Sequence, residues 1–309
     1  MRCTAFCTNG IGDHLLLLPA LRALVSMFPG QVTIVSPPGY SAILFGDLEF
    51  ARAIPVETWW EPQVRHFDAD AVAGAIDPGD LFVCFDRALS DSHRRLLDVL
   101  APADSLGFFS EFKRAVRFRH DRHAADQAFA LATALDPRLT IEEFAGAPWI
   151  DPLIRPLLDG LRERLSTRYK LLVAHTDTAS EKMWEPRRFG RFFDAFLSER
   201  EDFVVAVVGH RVGAQALGRP QPRKFDFTAM PLGVSLGLAQ RADLFVGIDS
   251  CALHAADLAR VPSVALLGPA SNPVEWGLRF TARGAVRRAA PLSELDADSV
   301  LSACRDVLT

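Results

Sequence analysis

Residues 3–36 read CTAFCTNGIGDHLLLLPALRALVSMFPGQVTIVS. Two short runs rich in strand-forming residues, CTAFCT and QVTIVS, bracket a longer amphipathic stretch, HLLLLPALRALVSMF. Strand, helix and strand in that order predict a βαβ unit with parallel strands. The rhythm continues in DLFVCF and SDSHRRLLDVLA. After GAPWIDPLIRP and one amphipathic helix it begins afresh, with KLLVAHT, RRFGRFFDAFLSER, FVVAVVGH, VSLGLAQRA, DLFVGID and SVALLG. The reading is an α/β chain of two consecutive doubly wound domains, 1–150 and 151–309, joined near residues 145–155. No low-complexity tract or short-period repeat interrupts it, which argues against a solenoid.

The composition agrees with such a chain. Its 309 residues, 49% hydrophobic and 23% charged, suffice for a substantial core and two domains of ordinary size. No segment approaches the roughly 18–20 uncharged residues of a membrane span, so a cytoplasmic protein is expected. The five cysteines, Cys3, Cys7, Cys84, Cys251 and Cys304, form an odd set without paired metal-ligand spacing and read as buried free thiols. A net charge of −4 gives no reason to expect nucleic-acid binding. Residues 1–150 carry a net −6 and residues 151–309 a net +2, which makes the second half the better host for an anionic ligand.

In open parallel sheets ligands sit beyond the carboxyl ends of the strands. Four stretches lie there: TNGIGDH at 8–14, HTDTASEKMWEP at 175–186, GIDSCALH at 247–254 and GPASNPVEWG at 268–277. The glycines at 10 and 12 allow a turn and close ligand approach. The third glycine of a dinucleotide fingerprint is absent, however, and the charge of Asp13 would repel a diphosphate. Asp13 is therefore either a helix cap, worth about 1 kcal/mol, or a catalytic carboxylate. His14, in the first helical turn, reads as a polar surface or cleft residue.

Lys182 stands ahead of a helix, where a lysine and free backbone N–H groups hold phosphate, although a merely solvated lysine looks the same. Trp184 is expected to pack that loop onto its domain. Asp249 and Ser250 either cap the following helix or, with its N-terminus, receive an anion. His254, one turn further, is either a packed residue or a contact to that ligand. Cys251 lacks the oxyanion loop a thiol nucleophile needs.

Taken together, three stretches resemble glycosyltransferase family 9, the heptosyltransferases of the lipopolysaccharide inner core. They are GIGDHLLLLPALRAL, HTDTASEKMWEPRRF and LGLAQRADLFVGIDSCALHAADLARVPSVALLGPASNPVEWG, in that order and spacing across almost the whole chain. The resemblance implies a GT-B fold, with an N-terminal acceptor domain and a C-terminal donor domain, both Rossmann-like, facing across a cleft. It also implies inversion at the anomeric carbon without a metal. No cofactor is expected beyond the nucleotide-sugar co-substrate, an ADP-sugar in the first instance.

The resemblance places the catalytic aspartate on Asp13 and the phosphate-binding lysine on Lys182, also counted as catalytic. The donor-domain motif falls on Asp249 and Ser250, and its following histidine on His254. The donor site expected on this basis further takes in Gly12, Thr176, Gly209, Cys251, Gly268 and Pro269. Two departures stand out. Cys251 occupies a place where glycine is usual, and a glutamate for the donor ribose has no counterpart in GHRVGAQALG at 209–218.

EFKRAVRFRHDRH, residues 111–123, is the basic run of the acidic half. It is either a solvated face or an acceptor site in which Lys113, Arg114, Arg117 and Arg119, with His14, meet phosphate or carboxylate groups. The expected partners are a nucleotide sugar and a glycan, glycolipid or small-molecule acceptor, a glycolipid implying peripheral contact with the membrane. Two alternatives are a family-9 relative that glycosylates a soluble natural product and a sugar-nucleotide epimerase, which needs no second substrate. A binding protein without catalysis is a third use of such an architecture, but it would not need Asp13 and Lys182 together.

Overall fold

The structure is a computed structural model of residues 1–309 in which all but residues 62, 63, 78, 167 and 211–216 are described, residue 166 by its backbone alone. The chain divides into two units, Met1–Ala145 and Gly146–Thr309.

The first unit opens with β1 (Cys3–Phe6), α1 (Ile11–Leu16), α2 (Leu18–Met27), β2 (Val32–Ser36), α3 (Tyr40–Leu44) and β3 (Arg52–Pro55). An antiparallel pair, β4 (Trp59–Glu61) and β5 (Val64–His66), precedes α4 (Ala69–Ala75) and β6 (Leu81–Cys84). Then come α5 (Asp91–Leu100), β7 (Asp104–Gly107), β8 (Arg114–Ala115), α6 (Ala124–Leu135) and α7 (Ile141–Phe144). The six sheet strands run parallel in the order β3-β2-β1-β6-β7-β8. β1 and β6 are buried along their whole length, as strands covered on both faces by helices must be. The apolar stretch after β1 is two helices rather than the single one its pattern suggests. Pro19 has no N–H to continue the ladder of α1, so the chain breaks at Leu17 and α2 begins with the proline in its first turn.

The second unit repeats the plan. It comprises α8 (Arg155–Ser166), β9 (Lys170–His175), α9 (Pro186–Glu199), β10 (Phe203–Gly209), β11 (Lys224–Thr228), α10 (Leu232–Ala239) and β12 (Leu244–Ile248). It ends with α11 (Cys251–Leu258), β13 (Ser263–Leu267), α12 (Pro273–Trp276), β14 (Gly284–Arg288) and α13 (Ala297–Leu308). Its parallel sheet has the order β11-β10-β9-β12-β13-β14. One face is covered by a phenylalanine-rich layer from α9, Phe189, Phe192, Phe193 and Phe196, which joins Trp184 and Phe203 in the core. Trp184 is fully buried 4.7 Å from the Phe189 ring and donates its indole N–H to Leu295 O. It packs its loop onto the unit as expected. The other face is covered by α8, α10 and α11. Behind α11, Asp257 is buried and accepts the backbone N–H groups of Arg279, Phe280 and Thr281, which ties the loop ahead of β14 to the helix.

In both sheets the strand order reverses direction beside the first strand, between β1 and β6 and between β9 and β12. Diverging connections leave a crevice at such a point, beyond the carboxyl ends. The loops after β1, β6, β9 and β12 are therefore the ones the fold presents to a ligand. Among the described residues no helix is long and apolar enough to cross a membrane.

Candidate functional site

In the first unit, Asp13 is the third residue of α1, about three-quarters covered. Its Oδ2 accepts the N–H of the N-cap residue Gly10 at 3.2 Å, so the capping function is present. Its Oδ1 accepts Arg87 Nη2 at 2.6 Å. Arg87 follows β6 on the other side of the strand-order reversal, 74 residues away, and no local pattern marks it. The carboxylate and guanidinium line a small hollow with Asn9, Leu16, Leu17, Phe85 and Phe108. A carboxylate against an apolar wall, oriented from two sides, is an arrangement that can take a proton from a hydroxyl.

His14 does not stand on a surface or in a cleft. It is fully buried, its Nδ1 lies 3.0 Å from Gly10 O, and its ring sits edge-on to Tyr40 at 4.9 Å. Burial holds the imidazole pKa below its ordinary value, which favours the neutral ring. The side chain points inward because it follows the last exposed turn position of α1 directly into the run of buried leucines.

In the second unit, Lys182 and Asp249 meet. Lys182 Nζ donates to Asp249 Oδ2 at 2.7 Å, and the same oxygen accepts Ser271 Oγ at 2.6 Å. His254 Nε2 lies 3.6 Å from Asp249 Oδ1. Burial on its own raises the Asp249 pKa, but the neighbouring His254 and Lys182 and the hydrogen bonds from Lys182 and Ser271 outweigh it and hold the carboxyl below its usual value. Ser271, reached through the turn at Gly268 and Pro269, was not legible as a partner. Lys182 also lies 5.9 Å from the Trp276 ring centroid.

At the carboxyl ends of β9 and β12, Thr176 Oγ1, Ser250 Oγ and His175 Nδ1 are buried and have no hydrogen-bond partner among the described residues. Ser250 is the N-cap of α11 but its hydroxyl is not used for capping, and the first-turn N–H groups of a helix have no intrahelical acceptors. Gly209 adopts φ +119°, and a Cβ there would come within 3.2 Å of His175 Nε2. Cys251, the first residue of α11, has its thiol pKa pushed up to about 11 by burial, which disfavours the nucleophilic thiolate. Gly12 belongs to α1 in the first unit, adjacent to Asp13. Residues 211–216, within the stretch that lacks the ribose glutamate, lie outside the described residues.

Solved structures share this architecture end to end. A family 9 glycosyl transferase from Veillonella parvula superposes with a TM-score of 0.79, at 19% identity over 99% of this chain and 97% of its own. The chain has the GT-B fold of the family 9 glycosyltransferases. The E. coli heptosyltransferase WaaC with ADP matches with a TM-score of 0.73, 18% identity and 99% and 100% coverage. The E. coli ADP-heptose lps heptosyltransferase II matches at 0.70, 13% identity and 100% and 98% coverage. No protein-family model matches the sequence, and no curated protein does.

In this GT-B fold the basic run divides between opposite ends of the first sheet. Lys113 Nζ donates to the carbonyls of Pro102 and Ala103 ahead of β7, and Arg114 binds Asp104 and the carbonyl of Ala134 in α6. Both cations are exposed and engaged by groups of their own unit at the amino end of β7. Arg117 and Arg119 lie beyond the carboxyl end of β8, both exposed. Arg119 forms a two-pronged ion pair with Asp121, while Gln127 holds the loop through Arg119 N and Arg117 O. Among the described residues one group, Cys84, Asp86 and His93, has metal-ligating atoms within 4.8 Å of one another. Burial raises the Cys84 thiol pKa strongly, and Asp86 and His93 are hydrogen-bonded to each other.

Proposed function

We propose that the chain is an inverting, metal-independent glycosyltransferase that moves a sugar, a heptose in the first instance, from a nucleotide diphosphate to an acceptor hydroxyl in lipopolysaccharide core assembly. The observation that carries the reading is that the two sheets present complementary chemistry at the same topological place. One offers an oriented carboxylate, Asp13. The other offers a lysine, Lys182, beside a helix N-terminus and buried hydroxyls with no partner among the described residues.

Asp13 accepts the proton of the acceptor hydroxyl as that oxygen bonds to the anomeric carbon. The bond from that carbon to the diphosphate oxygen breaks, and its electron pair leaves with the nucleotide. Attack from the face opposite the leaving group inverts the configuration. Lys182 and the N–H groups at the start of α11 meet the charge that grows on the diphosphate. Thr176 and Ser250 supply hydrogen bonds to the donor. Arg117 and Arg119 are the basic residues available to an anionic acceptor. ADP is the first nucleotide to test, because WaaC, of the same fold, was solved with it. The five free cysteines fit a reducing compartment such as the cytoplasm.

The test is a thermal-shift screen against ADP, GDP, UDP and TDP and their sugar conjugates, followed by transfer assays with the stabilising donor. A nucleotide that binds only the native state raises the melting temperature by mass action. Rapid epimer formation from donor alone would replace the transferase reading with an epimerase.

A further inference from the structure

We propose that Asp86, hydrogen-bonded to His93, is the positioning residue that fixes the Asp13 loop and the Arg87 loop to each other. The inference rests on the reading of Asp13 as the base, and it concerns residues that neither the family resemblance nor the sequence pattern singles out. Phe6 and Cys84 are register partners in the adjacent parallel strands β1 and β6, and two residues beyond them stand Thr8 and Asp86. Asp86 is buried and accepts three hydrogen bonds, from Thr8 N–H at 2.7 Å, Thr8 Oγ1 at 2.5 Å and His93 Nε2 at 2.9 Å.

The tautomer follows from the network. The backbone N–H of Ser90 donates to His93 Nδ1 at 3.1 Å, so the ring proton is on Nε2 and points into the carboxylate. His93 itself is buried edge-on to both the Phe6 and Phe67 rings, at 5.7 and 5.0 Å, and these contacts pack the imidazole in place.

These contacts close a ring. From Thr8 the chain runs five residues to Asp13, crosses the ion pair to Arg87, steps back one residue to Asp86 and returns to Thr8 through two hydrogen bonds. Burying a charged carboxylate is costly unless donors surround it. Here the donors are Thr8, in the loop that carries Asp13, and His93, in the helix α5 that follows the loop of Arg87. A looser ring lets the Asp13 carboxylate wander, and displacement of about 1 Å from productive geometry lowers a rate by about a hundredfold.

The test compares His93→Leu, which removes the donor, with His93→Gln, whose amide nitrogen can replace Nε2–H, and with Thr8→Val, which removes a hydroxyl and keeps the shape. Hydrogen exchange of the free protein over residues 8–14 is read alongside turnover and donor KM, well below each melting temperature. We expect exchange over 8–14 to accelerate at least tenfold in His93→Leu and less in Thr8→Val. Turnover should fall ten- to a hundredfold with donor KM within twofold, and His93→Gln should recover most of both. A folded His93→Leu or Thr8→Val protein with wild-type exchange over 8–14 overturns the proposal, as does faster exchange with unchanged turnover. If the wild-type protein transfers no sugar, the failure belongs to the proposed function, and the exchange data still decide whether Asp86 clamps the two loops.

Discussion

Lys182 Nζ and Asp249 Oδ2 lie 2.7 Å apart across 67 residues of sequence. The cation expected to meet a diphosphate is thus engaged by a carboxylate of its own unit, 4% exposed against 28% for the lysine side chain. A donor must compete with Asp249 for the ammonium or bind beside the pair.

Removing the lysine should therefore have two effects at once. Lys182→Ala is expected to weaken ADP binding about ten- to a hundredfold, or about 1.4–2.8 kcal/mol, through loss of a charge-assisted contact. It should also cost about 1–3 kcal/mol of stability, because Asp249 stays buried with its ammonium partner gone. Pairing it with Asp249→Asn should recover part of that loss, with a coupling energy of about 1 kcal/mol or more. Urea denaturation of the four proteins and calorimetric titration with ADP check both parts. Additive stabilities would show that the pair is not a functional unit of the fold.

A second consequence is a pH dependence of stability. Burial, and to a smaller degree the nearby His210, hold the pKa of His175 at about 4, and burial lowers that of His14 in the same direction. In the unfolded chain a histidine titrates at about 6.5. Between the two values the unfolded state binds more protons than the folded one, so stability rises with pH there. The contribution is complete above the unfolded value and is lost as pH falls toward about 4 for His175. That loss is at most about 3 kcal/mol for His175 alone. Asp86 and Asp249, whose pKa values are held low, add their loss below the unfolded carboxylate range. Urea midpoints between about pH 7.5 and 4.5 should fall, and His175→Gln should flatten the slope; an unchanged slope in that variant would locate the titration elsewhere.

How much of this was legible before the structure depended on whether the information was local. Buried strands announce themselves as apolar runs, so β1, β2, β6, β9, β10, β12 and β13 follow from composition. The edge strands β3, β8, β11 and β14 are mostly exposed or only partly buried, and β3 ends in a proline, so no such run marks them. Asp13, Lys182 and Asp249 were found because glycines, a helix start or a strand end lie beside them. Arg87, Asp86 and Ser271 were not, since each acquires its partner only through strand pairing across the sheet. The basic run shows the limit most plainly. Lys113 and Arg117 are four residues apart, but the strand β8 lies between them: Lys113 reaches back to the carbonyls of Pro102 and Ala103, and Arg117 stands past the strand's carboxyl end.

That separation yields a prediction about the acceptor. If an anionic acceptor is recognised by the first unit, Arg117→Glu should raise its KM about tenfold or more, since a favourable charged contact becomes a repulsive one. Donor KM should stay within about twofold, because the proposed donor residues lie in the other unit. Lys113→Glu is the control: it should lower stability through the freed carbonyls of Pro102 and Ala103 and leave acceptor KM unchanged. Steady-state kinetics with a phosphate-bearing acceptor distinguish the two. Equal effects from both substitutions would mean that general surface charge, not a site at the carboxyl end, is responsible.

The decisive substitution is Asp13→Asn, because the two oxygens of Asp13 have different partners. Oδ2 accepts the Gly10 N–H and Oδ1 accepts Arg87. An asparagine keeps one oxygen and presents an NH2 group to the other partner, so either the cap or the arginine contact is lost but not both. At this partly exposed position the cost in stability is about 0.5–1.5 kcal/mol. If Asp13 is the base, a neutral amide cannot replace it, and turnover should fall about 10²–10⁴-fold. ADP affinity should be unchanged, since Lys182 and the start of α11 belong to the second unit. Were Asp13 only a cap, the same variant would be slightly less stable and close to fully active. Melting temperature, ADP affinity and turnover on this one protein separate the two roles, and turnover above about a tenth of wild type would remove Asp13 from the reaction, because a missing general base costs about a hundredfold or more.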